Sequence, residues 1–98
     1  MATITSFESW LDQVRPDGTD DVYSLYRAIM GEESFGRFHC SKERGQLFLR
    51  TGKTDDVLML ASDKAVKAFL STLKKRFNIE GDIEAWYIAR RAMERDHE

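Results

Sequence analysis

The sequence predicts an α+β fold: a three-stranded antiparallel β-meander flanked by two N-terminal and two C-terminal helices, in the order α-α-β-β-β-α-α. Three observations lead there. Short runs rich in Phe, Leu and Val, cut by turns containing Gly and Asp, occupy Phe35 to Ala61 and no other part of the chain. Apolar residues recur at helical spacing in two segments before that stretch and two after it. The chain has 98 residues, 42% of them hydrophobic and eleven aromatic, which suffices for one domain, residues 1–98, with its own core and no metal or disulfide staple.

The central stretch divides into FGRFHCS, QLFLR and VLMLA. Lys42-Glu43-Arg44-Gly45 separates the first two runs, with Gly45 suited to the positive φ of a hairpin turn. Residues 51–56, TGKTDD, separate the last two. Strand alternation puts Leu47 and Leu49 on one face of the middle run, with Gln46, Phe48 and Arg50 on the other. In the first run Phe38 and Cys40 oppose Phe35, Arg37 and His39. Leu47 and Leu49 are expected in the core, so that Phe48 and Arg50 face away from it, with Arg37 and His39 nearby. The third run is apolar at four consecutive positions, Val57 to Leu60, as in a strand covered on both faces or covered on one and used on the other.

The helices follow from spacing and caps. Phe7, Trp10, Leu11 and Val14 lie on one helical face, Thr5 or Ser6 can cap it, and Arg15-Pro16-Asp17-Gly18 ends it. Thr19 is the expected cap of DDVYSLYRAIM, whose stripe is Val22, Leu25, Tyr26, Ile29 and Met30, with Gly31 as the residue past its end. Ser62 caps DKAVKAFLSTLKKRF, with Val66, Phe69, Leu70, Leu73 and Phe77 inward. Lys74, Lys75 and Arg76 complement the dipole at its last turn, which is reason enough for their clustering. Asp82 caps IEAWYIARRAMERD, for which the expected packing face is Ala85, Trp86, Ala89, Ala92 and Met93, with Tyr87 and Ile88 off it. Trp10 and Trp86 are expected to be structural. Four helices exceed what one face of three strands holds, so some wrap to the second face or a second copy of the chain covers it.

Catalytic and metal-binding patterns are absent from the sequence. His39 and Cys40 are neighbours on a predicted strand and point to opposite faces, so they neither grip one metal nor form a nucleophile–base pair. Asp20-Asp21 and Asp55-Asp56 sit at a helix start and a turn, which explain them. RTGKT has the Gly-Lys-Thr end of a phosphate loop without its first Gly and without a following helix. No cofactor is expected. One cysteine cannot form an internal disulfide, no apolar run nears the roughly 18 residues of a membrane span, and MATITSFESW lacks the pattern of a signal peptide. The expected location is the cytoplasm.

The net charge of −2 conceals a split. Residues 1–34 hold two basic and seven acidic residues, a net −5, whereas residues 36–53 hold five basic residues against Glu43, a net +4. An Arg-rich patch around an aromatic is hot-spot chemistry, so Arg37, Arg44, Phe48, Arg50 and Lys53 form the expected partner-binding surface; the plainer explanation is that these charges keep an edge hairpin soluble. The expected function is a small non-catalytic protein-interaction module, an inhibitor or regulatory subunit. The motives are the lack of catalytic patterns, the many aromatics, and the doubly apolar third run. That run, with Tyr87 and Ile88, also suggests a homodimer. The alternative is RNA binding through the basic sheet face. The α-β-β-β-α order from Thr19 to Phe77 is similar to that of double-stranded-RNA-binding domains. The helix after the sheet, however, begins Ser62-Asp63-Lys64, without a lysine cluster, and the overall charge is acidic.

Overall fold

A computed structural model describes residues 3–4, 6–31, 34–51 and 56–96. Its elements in chain order are β1 (Thr3–Ile4), α1 (Phe7–Val14), α2 (Gly18–Gly31), β2 (Phe38–Glu43), β3 (Gln46–Thr51), β4 (Asp56–Leu60), α3 (Asp63–Phe77) and α4 (Ile83–Asp96). The antiparallel meander β2-β3-β4 and the four flanking helices are those the sequence predicts. In addition β1 pairs parallel to β4, giving the sheet order β1-β4-β3-β2. Two residues are too short to carry a strand pattern, so β1 has no signature of its own.

Local chemistry sets the boundaries. Ser6 caps α1, its hydroxyl accepting from the Ser9 N–H at 3.3 Å. Arg15 closes α1 in the left-handed region at φ 48°, where Pro16 disfavours continued helix. Thr19 does not cap α2. The helix begins one residue earlier, Asp21 Oδ2 accepts from the Asp17 N–H at 2.8 Å, and Thr19 Oγ1 instead donates to Glu94 Oε1 at 3.3 Å. Gly31 lies inside α2 as its last residue, not past its end. The β2–β3 hairpin is tighter than expected. Lys42 and Glu43 belong to β2, and Arg44 and Gly45 alone make the turn, both at positive φ (51° and 79°) as a type I′ connection requires. Phe35 is not in β2; it bonds Phe38 in both directions across a turn through Gly36 and Arg37.

Register makes the sheet two-faced. Phe38 pairs with Thr51, Cys40 with Leu49, and Leu49 with Leu58; Leu47 pairs with Leu60. Phe38, Cys40, Leu47, Leu49, Leu58 and Leu60 are all buried in one core with Trp10, Leu11, Val14, Val22, Leu25, Ala28, Ile29, Phe69 and Leu73 from α1, α2 and α3. Trp10 is fully buried and meets Phe38 and Phe69 at ring distances of 6.3 and 6.0 Å, joining sheet, α1 and α3. The helices therefore sit on one side of the sheet. Helix α2 packs against β2, and α1 and α3 pack against β4.

Helix α4 departs from its expected packing. It lies on α2 rather than on the sheet, and it turns the Ile83–Tyr87–Arg91 side inward. Tyr87 stacks on Tyr23 with centroids 3.9 Å apart and planes 8° from parallel. Arg91 Nη1 lies 3.6 Å from Asp20 Oδ2. These specific contacts with α2 outweigh the small apolar area that three alanines would bury. Ala85, Ala89 and Ala92 are consequently exposed, with Ile88 62% and Met93 57% exposed beside them. Trp86 is half-buried against the core under Arg90, whose guanidinium carbon is 5.8 Å from the ring centroid. Met30 at the end of α2 is also exposed, at 56%.

Candidate functional site

Of the five residues that the sequence groups as a partner surface, the fold keeps Arg44, Phe48 and Arg50 on one hairpin and takes Arg37 away from them. Lys53 lies outside the described residues. Arg37 points back to the helices. Its Nη2 donates to Asp21 Oδ2 at 2.6 Å and to the carbonyls of Val14 and Arg15 at 2.9 and 3.0 Å, and its Nε reaches both Asp21 oxygens. The last carbonyls of a helix lack partners within the helix, so Arg37 caps α1 while tying it to the first turn of α2. Its guanidinium carbon also lies 4.9 Å from the Phe38 ring centroid. Burial pushes the Asp21 carboxyl up, but the Arg37 hydrogen bonds, the Asp17 N–H and the Arg37 charge together hold it below its ordinary value. The same hydrogen bond raises Arg37, against the opposing effect of burial. Arg37 is thus engaged within the fold, and the expectation that it stands beside Phe48 is not met.

Arg44, Phe48 and Arg50 do lie along one hairpin. Arg44 is exposed at the turn, and Phe48 and Arg50 lie on the face of β3 opposite Leu47 and Leu49. The register completes this outer face. Phe48 stands between Ser41 on β2 and Met59 on β4, and Arg50 stands opposite His39. Val57 lies two residues from Met59 on the same side of β4. Phe48, Val57 and Met59 are half-buried and none belongs to the core. The core that the helices share with the sheet is formed by the residues of the opposite face. The four apolar residues of the third run thus divide into a buried pair, Leu58 and Leu60, and an outward pair, Val57 and Met59.

The charged side chains described around this apolar strip are Arg44, Arg50 and Glu43. Among the described residues neither Arg44 nor Arg50 has an ion-pair partner. His39 Nδ1 is 2.9 Å from Ser34 Oγ. Among the described residues the carboxylate on this face is Glu43, beside the turn and paired across the strands with Gln46. The arrangement offers a shallow apolar seat with unpaired positive charge at its edge. The described residues include no group of three or more His, Cys, Asp or Glu able to hold a metal.

A concave feature lies elsewhere. Ile29, Met30, Leu47, Val66 and Leu70 line a groove of about 430 Å³ where α2 ends and α3 begins. Asp63 and Lys67 share its rim. With both signs present, it selects no charge.

Sequence reasoning did not identify Met59 and Val57 as companions of Phe48. The signal was the unbroken apolar run of β4, which becomes a surface only when register assigns alternate residues to an uncovered face. Comparison adds no identity: no family model, no curated protein and no solved structure matches the chain. No helix among the described residues is long and apolar enough to cross a membrane.

Proposed function

We propose that this protein is a non-catalytic interaction module, an inhibitor or regulatory subunit, that binds another protein through the open face of its sheet. One observation carries the reading. Phe48 and Met59 lie side by side on the face opposite the core, with unpaired Arg50 two residues along β3. An aromatic, a thioether and an arginine around a common centre are the residue types enriched where binding energy concentrates. The chain's single thiol suits a reducing compartment, and the cytoplasm is the proposed location.

The test is affinity capture from an extract of the source organism with the parent protein and with Phe48→Ser,Arg50→Glu as bait. The double variant should fold and lose a protein that the parent retains. Equal capture by both would remove this face from the function.

Self-association is a second reading, favoured by the outward stripe of α4. Tyr87 contributes nothing to it, being stacked on Tyr23, but Ile88 and Met93 are more than half exposed. A stripe along 14 residues is about 21 Å long, short for the roughly 800 Å² per partner of a standard interface. The expected dimer is therefore weak. Light scattering should show the apparent mass rising with concentration, and Ile88→Glu should abolish the rise.

A further inference from the structure

We infer that the segment recognised by the open sheet face is acidic: a short peptide stretch carrying Asp or Glu beside one apolar side chain. The inference rests on the interaction-module reading and gives the chemistry of its partner. Phe48 and Met59 are direct cross-strand neighbours, so their side chains form one continuous apolar patch across β3 and β4. A ring and a flexible thioether together accommodate an apolar side chain of variable shape. Around that seat the charge has one dominant sign. Arg50 lies two residues along β3 and Arg44 occupies the turn, against one described carboxylate on this face, Glu43. A carboxylate flanking the apolar anchor on the side away from the turn would meet Arg50, whereas toward the turn the Gln46–Glu43 pair lies between Phe48 and Arg44.

The other occupants fit this face less well. Single strands of nucleic acid are held by successive aromatic platforms, and among the described residues of the outer face Phe48 is the only Phe, Tyr or Trp. A second copy packed face to face about a two-fold axis would bring the same cations, Arg44 and Arg50, toward their own images.

The test is selection of a random peptide library displayed on phage against the full chain, followed by affinity measurement of the enriched peptides. Enriched peptides should carry Asp or Glu beside a Leu, Phe or Met. Their affinity should fall at least about tenfold for Arg50→Glu, a change of about 1.4 kcal/mol, and should weaken with added salt. Arg50 is exposed, so its reversal leaves the fold standing. Peptides without acidic enrichment, or bound equally by Arg50→Glu, would overturn the acidic assignment and leave the sheet-face reading intact. Peptides bound equally by Phe48→Ser, or by Met59→Gln should Phe48→Ser not fold, would overturn both. So would a library that yields no binder. A labelled single-stranded RNA that binds tighter than any peptide and is released by Arg50→Glu would replace the acidic peptide with a nucleic acid.

Discussion

The two faces of the sheet are built from the same three strands and differ by one residue of register. The inner face carries Phe38, Cys40, Leu47, Leu49, Leu58 and Leu60, all buried; the outer face carries His39, Phe48, Arg50, Val57 and Met59, half-buried or exposed. In β3 the chain marks the difference openly, because Leu47 and Leu49 alternate with Gln46, Phe48 and Arg50. In β4 it does not: Val57 and Met59 are as apolar as Leu58 and Leu60. The difference teaches that hydrophobicity alone does not mark the core. A strand can be apolar on both faces when one face serves folding and the other is kept for contact.

The largest effect that would break the comparison concerns neighbours on β4. Leu58→Ala opens a cavity under α1 and α3 and should cost about 2–5 kcal/mol. Met59→Ala, one residue away, should cost less, about 1 kcal/mol, because its side chain is only partly buried and lies outside the core. Urea titration of the two variants checks this, and equal losses would mean that the outer face is also core.

Next in size is the contrast between two arginines of the same basic run. Arg37→Met removes hydrogen bonds to two α1 carbonyls and to Asp21, with an expected loss of about 1–3 kcal/mol. Arg50→Met should change stability by less than about 0.5 kcal/mol. The Arg37 contact has a pH signature. The folded-state pKa of Asp21 is held below its unfolded value, so the unfolded chain binds the proton more readily. Its contribution is complete above the ordinary carboxylate range and disappears as pH falls through the lowered pKa. Asp21→Asn should therefore lose less stability than the parent between neutral pH and acid, as read by melting temperature against pH.

Smaller effects sharpen the hairpin and its surroundings. Ser62→Ala removes the acceptor for the Ala65 N–H at the start of α3 and should cost about 1 kcal/mol. Arg44 holds a positive φ that a long side chain adopts at some cost, and Asn-Gly is the preferred type I′ pair. Arg44→Asn should stabilise the protein by a few tenths of a kcal/mol, seen as a small rise in melting temperature, while weakening any partner drawn to the turn.

The order of elements was legible because periods of 3.6 and 2 change over at sharp turn signals around Phe35 and Ala61. The inner face of the sheet was legible from β3 alone. Three features were hidden, each for a physical reason. Strand β1 is two residues long and owes its existence to pairing with β4. Arg37 acts on groups 16 to 23 residues earlier in the chain, a separation no local pattern reports. In α4 the apolar stripe of Ala85, Ala89, Ala92 and Met93 is present as read, but amphipathicity states only that a helix has two sides, not which one meets the rest of the chain. The Tyr23–Tyr87 stack and the Arg91–Asp20 pair decided that. Of the candidate site, Phe48 and Arg50 could be assigned to one face by alternation, whereas their neighbours His39 and Met59 required the register.

The most direct test of the central claim is a paired measurement on Phe48→Ser,Arg50→Glu: its melting temperature and its affinity for the peptides selected against the parent chain. The account predicts a melting temperature within about 5 °C of the parent, corresponding to roughly 1 kcal/mol in a domain of this size, together with loss of peptide binding. A large fall in melting temperature would show that the outer face holds the fold together, and peptide binding retained at the parental affinity would show that the face is not the binding surface; either result contradicts the account.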